Sequence, residues 1–220
     1  MTVFLDRWTV RTSAIGGALW RMARDPRALR RLDGIEFHKS LGVGAGRRFT
    51  VADADLRQWA LLTCWTSSDA ALRPVLRRWQ RLATSHTRFT LGPISSQGRW
   101  SGREPFSADP ALSAWEGPVA AITRARVRSL QWRTFQAAVP AVASTLDHQP
   151  GLLYRIGIGE APIGLQGTFS VWRDAGAMTD FAYRLPAHRA VIDQTRQTGW
   201  YAEELFARFA VLDVDGDRPW

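Results

Sequence analysis

His188 is the side chain whose type and position could do the most chemistry. With Val191, Ile192 and Thr195 it follows the spacing i, i+3, i+4 and i+7, so a helix over this stretch would carry the imidazole on its apolar face. Such a histidine is either a core residue bonded to a backbone carbonyl, or an axial ligand to iron in a cavity beside the helix. Haem needs only one protein ligand, so the spacing leaves both interpretations open.

Three polar side chains interrupt strand-like runs in the same half of the chain. Arg124 lies within residues 118–128, where alternation places it on the face of Ile122 and Arg126. Arg155 and Gln166 lie in the next two strand-like runs. If their face lines a cavity, the three side chains could bind a haem propionate or polarise bound oxygen. If it faces water, they are ordinary surface residues.

Two glycine pairs occupy corresponding places in the two halves of the chain. Gly42 and Gly44 share one face of their strand, and Gly157 and Gly159 share one face of theirs. Such pairs indicate either β-bulges or a close approach of another group to the backbone. They lack the third glycine and the following helix of a nucleotide-binding fingerprint.

The order of predicted elements is β-α-β-β-α-β, and it occurs twice. The halves also match in sequence, which suggests a duplication. We expect an N-terminal ferredoxin-like unit over 1–94, a linker or surface loop over 95–117, and a C-terminal unit over 118–220 that carries the helix of His188. In the first unit strands are predicted at Val3–Val10, Ile35–Val43, Trp59–Trp65 and Thr87–Ile94, with helices near 15–22 and 72–79.

The second unit carries predicted strands at Val119–Arg128, Tyr154–Ile158, Thr168–Trp172 and Leu205–Val214, and helical stripes within 135–146, 178–185 and 188–195. Two such units can pair their sheets into one closed barrel with helices outside. The predicted fold is therefore α+β, with tandem duplicated ferredoxin-like units that form a pseudo-dimeric α+β barrel in one chain. The interior of such a barrel can hold a ligand.

Composition narrows the classes of function. The formal net charge is +9, and of the 29 basic residues only Lys39 is a lysine. Because the arginines are scattered, we expect no nucleic-acid partner. A local cluster, Arg21, Arg24, Arg27, Arg30 and Arg31, is either a solvated helix face or a surface that attracts phosphate-rich partners.

The aromatic and cysteine contents limit the site in other ways. Eleven Trp and ten Phe favour a deep core or an apolar cavity. The single cysteine, Cys64, excludes a disulfide framework and a cysteine metal site, and fits an inert small apolar residue within a strand. No signal peptide and no membrane-spanning apolar run are apparent, so we expect a cytoplasmic protein.

Several stretches of the chain resemble the spheroidene monooxygenase family, the acyclic carotenoid ketolases. The matching stretches are FHKSLGVGAGRRF at 37–49, PVAAITRARVR at 118–128, RIGIGEAP at 155–162, QGTFSVW at 166–172 and PAHRAVIDQTRQTGWYAEELFARF at 186–209. The resemblance implies a haem-containing, oxygen-inserting member of the dimeric α+β barrel superfamily, with His188 as the ligand to iron. Around it the implied pocket includes Arg124, Gly157, Gly159, Glu160, Gln166 and Phe169, with Phe181 and Ile192 on the helical stretches.

The expected function is a haem b-dependent monooxygenase or peroxygenase acting on an apolar small molecule. Arg124 is the first candidate for the distal or propionate-binding role, followed by Gln166 and Arg155. Dioxygen or peroxide would be the oxidant, with an electron-donor protein and a peripheral membrane contact as further partners, in a monomer or a homo-oligomer. The alternatives are a cofactor-free α+β-barrel oxygenase, dehydratase or isomerase, and a non-catalytic haem- or lipid-binding protein.

Overall fold

The first half of the chain folds in the predicted order. The computed structural model describes residues 1–44, 53–128, 131, 149–160, 165–184 and 201–220. Ser68 caps the second helical region, since its Oγ accepts a hydrogen bond of 3.2 Å from the Ala70 N–H. The elements are β1 (Thr2–Val10), α1 (Ile15–Leu29), β2 (Ile35–Gly44), β3 (Ala54–Trp65), α2 (Arg73–Gln80) and β4 (Ala83–Gly98).

The second half repeats the strand order of the first. Its elements are β5 (Val119–Val127), β6 (Leu152–Gly159), β7 (Leu165–Trp172), α3 (Ala175–Arg184) and β8 (Tyr201–Gly216). The helical stripe predicted within 135–146 and the one that carries His188 lie outside the described residues. The last strand is longer at both ends than its apolar run, because residues 201–204 pair with β5 and residues 215–216 pair with β4.

The eight strands close into one antiparallel barrel in the order β1-β3-β2-β6-β7-β5-β8-β4. Each half therefore contributes four neighbouring strands, and two seams join the halves. The long seam pairs β4 with β8, from Thr87 opposite Gly216 to Gly98 opposite Leu205. The predicted α+β barrel in one chain is confirmed.

The short seam explains the paired glycines. Gly42 lies opposite Gly159 and Gly44 opposite Gly157, so the two glycine pairs of the halves meet each other across the β2–β6 junction. The register between β2 and β3 also shifts between Gly42 and Gly44, so strand pairing is irregular at the first glycine pair. A Cβ on Gly44 would lie 2.3 Å from the Asp53 carbonyl oxygen, so this position requires glycine.

The barrel interior is packed with side chains. Leu5, Leu62, Phe89, Ile122 and Phe209 are fully buried and belong to one continuous apolar cluster. This corrects the expectation of a ligand-holding interior, because β-branched, leucine and aromatic side chains from all eight strands fill a barrel of this size. Cys64 lies in the same cluster, and burial raises the pKa of its thiol, as expected of an inert cysteine.

The expected linker is more ordered than its composition suggests. β4 continues through Gly98, and Trp100 and Phe106 are buried in the barrel cluster. Trp100 packs edge-on against Phe37 at a ring separation of 5.6 Å, and Phe106 packs likewise against Phe209 at 4.9 Å. The segment from Trp100 to Phe106 therefore covers one end of the barrel. The unit boundaries at 94 and 118 stay predictions.

None of the helices within the described part of the chain is long and apolar enough to cross a membrane.

Candidate functional site

The C-terminal half of the sheet has two faces of different character. On the inner face Ile122, Phe169 and Val171 join the barrel core. Side chains alternate between the two faces along each strand, so the residues between these core positions face outward. Small residues follow one another at those outward positions. We call these positions the small-residue face; they are Ala121, Thr123, Ala125, Gly157, Gly159, Thr168 and Ser170.

Strand register makes this face continuous. Gly157 lies opposite Thr168, which lies opposite Thr123, and Thr123 lies opposite Phe206 of β8. Thr123 is exposed, and Phe206 is 46% exposed. Four strands thus present a row in which only the last residue has a large side chain.

The corresponding face of the N-terminal half is filled. Trp8, Trp59 and Trp65 are buried there in a cluster that α1 and α2 cover. Trp8 stacks on Trp79 of α2 at a ring separation of 4.9 Å. The two halves share one strand order, and the C-terminal half carries small side chains on the face where the N-terminal half packs tryptophans.

One end of the small-residue face is closed by aromatic packing. Trp172 stacks on Phe181 of α3, with ring centroids 5.2 Å apart, and its Nε1 donates to Ser170 Oγ at 3.0 Å. Val119 and Met178 complete this cluster. The helix α3 therefore packs on this face, and it ends at Arg184, four positions before His188 in the sequence.

Arg124 lies on the inner face, at the end of the barrel that Trp100 covers. Its side chain is 3% exposed, and its guanidinium bonds the carboxylates of both Glu160, at 3.1 Å, and Glu203. Gly167 lies directly opposite, and a Cβ there would approach the Arg124 Cβ to 3.1 Å and the Thr123 carbonyl oxygen to 2.3 Å. This glycine makes room for the arginine.

Glu160 is the centre of the same cluster. Besides Arg124, it accepts hydrogen bonds from Trp100 Nε1 at 2.7 Å and from Lys39. Lys39 also donates to Ser101 Oγ at 2.6 Å. The N-terminal half thus supplies the lysine, the covering segment the tryptophan, and the C-terminal half the arginine and the carboxylates.

Glu203 fixes the covering segment to the C-terminal half. It accepts backbone N–H bonds from Ser101 at 3.0 Å and from Gly102 at 2.6 Å. Burial by itself would raise the pKa of Glu203, but these two N–H groups and Arg124 outweigh it and lower the pKa. The carboxylate is therefore ionised around neutral pH, and the four charged side chains of the cluster balance.

The structure divides the sequence-predicted site residues between two places. It brings Arg124 and Glu160 together inside the barrel end, and it buries Phe169 in the core, 5.0 Å from Phe89. Arg155, Gly157, Gly159 and Gln166 belong by register to the opposite, outer face, and Phe181 packs on that face. His188 and Ile192 lie outside the described residues.

This division corrects the expectation that Arg124 shares one pocket with Arg155 and Gln166. The sequence showed the alternation within each strand but not the pairing register, and one strand's odd positions can share a face with its neighbour's even positions. The sequence patterns did not indicate that the Arg124 cluster also contains Lys39, Trp100 and Glu203. The only signal for them was a single lysine in an arginine-rich chain.

No protein-family model matches this chain. The spheroidene monooxygenase of Rhodobacter capsulatus is 34% identical over 211 residues, which are 93% of this chain and 87% of that protein. The spheroidene monooxygenase of Cereibacter sphaeroides is 33% identical over 90% of this chain, which spans 62% of that longer protein.

Solved structures support the fold. An aldoxime dehydratase crystallised with butyraldoxime superposes with a TM-score of 0.57 over 96% of this chain and 79% of its own, at 10% identity. A second aldoxime dehydratase structure gives a TM-score of 0.53 over 96% of this chain and 81% of its own. At this identity the likeness shows a shared fold.

Proposed function

Because the chain belongs to the spheroidene monooxygenase family, we propose that it is a monooxygenase that inserts oxygen into an apolar, carotenoid-like small molecule. The reaction uses haem b, and His188 is the ligand to its iron. The oxidant is dioxygen, with electrons from a donor protein, or else peroxide.

The small-residue face is the observation that carries this proposal. A porphyrin is a broad, flat and largely apolar ring, so it needs a sheet surface without large side chains. The row Gly157, Thr168 and Thr123 offers such a surface, and Trp172 with Phe181 forms an apolar wall at its end. In the sequence His188 follows the last residue of α3, Arg184, by four positions.

The residues of the chain have separate tasks in this scheme. When bound, haem supplies the redox chemistry that activates the oxidant. The imidazole of His188 would hold the group, and Trp172 and Phe181 would exclude water from this end of the site. The hydroxyls of Thr123 and Thr168 lie on the sheet side and can donate a hydrogen bond to a polar atom there.

The two remaining candidates, Arg155 and Gln166, lie at the margins of this face. Arg155 pairs in register with Ser170, and Gln166 with Gly159 and Ala125. These positions suit a role in binding the haem propionates. Arg124 is on the other side of the sheet and bonded to two carboxylates, so we assign it no contact with haem.

The test is the absorption spectrum of the purified protein with added haem, for the wild type, His188→Ala and a matched control, His38→Gln. His38 lies in β2 of the other half, so its loss leaves the proposed site intact. We expect a strong Soret band in the wild type and the control, and its loss in His188→Ala. An unchanged band in His188→Ala would refute the ligand assignment, and no haem uptake by the wild type would refute haem dependence.

A further inference from the structure

The two helices of the N-terminal half present a surface that the proposed chemistry does not use. Helix α1 buries Ala18 and Leu29 against the sheet, and its opposite side faces solvent. Two large apolar side chains project there: Leu19 is 49% exposed and Trp20 is 61% exposed. They are adjacent in sequence and lie at the start of the helix.

The same surface is strongly positive. Helix α2 contains no acidic residue, and the one acid of α1, Asp25, is 4% exposed and bonded to Trp79 Nε1 at 2.9 Å. We call this surface the arginine face. It is formed by Leu19, Trp20 and the arginines at 21, 24, 27, 30 and 31 of the first helical region and at 73, 77, 78 and 81 of the second.

Three of these arginines lie close together where the two helices meet. Asp25 joins the helices, since it bonds Trp79 and lies 3.5 Å from Arg78. Arg21 is close to Arg78 and Arg81; burial and these like charges lower its pKa, although Asp25 opposes them. Among the described residues no acceptor meets the buried Nε of Arg21. The two helices together carry six arginines and one acidic residue, Asp25.

We propose that the arginine face docks the protein on an anionic phospholipid bilayer. Trp20 and Leu19 enter the headgroup level, and the arginines bind lipid phosphates. Arg24 lies over the Trp20 ring at 5.5 Å, which places a guanidinium at the depth where the indole meets the headgroups. An open groove on α2, lined by Arg73, Arg77 and Arg81 among others, adds further phosphate-binding positions.

The exposed apolar pair favours a membrane over a nucleic acid. A basic helix that also carries tryptophan and leucine on its outer side is typical of a helix lying in the bilayer interface. The docking proposal rests on the proposed function in one respect. A carotenoid-like substrate resides in the bilayer, so docking would bring the enzyme to its substrate.

The experiment is flotation of the intact protein with vesicles of phosphatidylcholine, with or without about one-quarter phosphatidylglycerol. We expect the wild type to float with the anionic vesicles only, and high salt to release it. The variants Leu19→Ser/Trp20→Ser and Arg24→Gln/Arg27→Gln should each bind at least about tenfold more weakly, since each surface arginine and each inserted apolar side chain contributes to partitioning.

Matched controls test whether vesicle binding depends on the arginine face itself or on exposed arginines and apolar side chains anywhere on the protein. Arg57→Gln/Arg99→Gln removes two exposed arginines elsewhere, and Leu212→Ser removes an apolar residue that is 44% exposed on β8. Both controls should float like the wild type. The proposal is overturned if the wild type does not float with anionic vesicles, if the controls lose as much as the test variants, or if the protein binds DNA or RNA in salt-dependent fashion but no vesicles.

Vesicle binding is measured without haem or substrate, so its failure and that of the proposed function are distinguishable. If both hold, the docking variants should oxidise a detergent-solubilised carotenoid at the wild-type rate and a vesicle-embedded one at least about tenfold more slowly. Flotation without any oxygenase activity would support the docking surface but remove access to a carotenoid-like substrate as the reason for docking.

Discussion

Arg124 is held inside the barrel by two carboxylates, and this pairing determines what the residue can do. Its terminal nitrogens bond Glu160 and Glu203, which are 16% and 9% exposed, so neither carboxylate has much water to replace a lost partner. A buried ion pair stabilises little relative to an apolar replacement, yet the loss of one partner is costly. Arg124 therefore holds three segments of the chain together.

We expect Arg124→Met to lower the free energy of unfolding by up to about 3–5 kcal/mol, because two carboxylates with little access to water lose their arginine. Urea denaturation measures the change. The triple variant Arg124→Met/Glu160→Gln/Glu203→Gln should recover part of the loss. A single variant that keeps its stability but loses its haem spectrum would instead place Arg124 at the haem.

At the scale of the element, the outer face of the C-terminal sheet is the structural feature on which the proposed function depends. The strand β5 places Ala121, Thr123 and Ala125 on this face, whereas its counterpart β1 places Trp8 and Val10 on the equivalent face. The strand order is the same in both halves, so the two faces differ chiefly in the size of the side chains they carry.

A bulky residue on this face should block haem without harming the fold. We expect Thr123→Trp to weaken haem binding at least about tenfold, because an indole would occupy the space of the ring. Its thermal unfolding without haem should match the wild type, since Thr123 is exposed. Thr123→Ser, which keeps the small hydroxyl, is the control; equal haem affinities for both variants would rule out this face as the site.

At the scale of the whole molecule, closure of the barrel depends on two seams between the halves. The long β4–β8 seam provides most of the pairing, while the short one rests on the glycine positions of β2 and β6. Seam closure within one chain removes the exposed edges that each half would have alone.

The glycines of the short seam differ in what they tolerate. We expect Gly44→Ala to destabilise the protein by about 1–3 kcal/mol, because its Cβ would collide with the Asp53 carbonyl. Gly42→Ala is the matched control: the nearest atom to its Cβ is the Gly159 oxygen at 3.8 Å, an ordinary contact. Its stability should stay within about 1 kcal/mol of the wild type. Calorimetry measures the stability of both variants. Equal losses would contradict the expected difference between Gly44 and Gly42.

The sequence by itself determined the barrel class and the order of the described strands, and it singled out the paired glycines that meet at the short seam. These follow from local patterns: alternation, helical spacing and glycine's freedom at crowded positions. The family resemblance was carried by contiguous stretches of sequence, and the relatives confirm it.

Only the tertiary structure decided which side chains share a face. Register between strands placed Arg124 inside the barrel and Gly157 outside it, and a shift of one residue would reverse either assignment. The filled interior, and the cluster that joins Lys39, Trp100 and Glu203 to Arg124, likewise depend on strands far apart in sequence. Pairing between strands that are far apart in sequence produces no periodic pattern in the chain, so only the closed barrel reveals it.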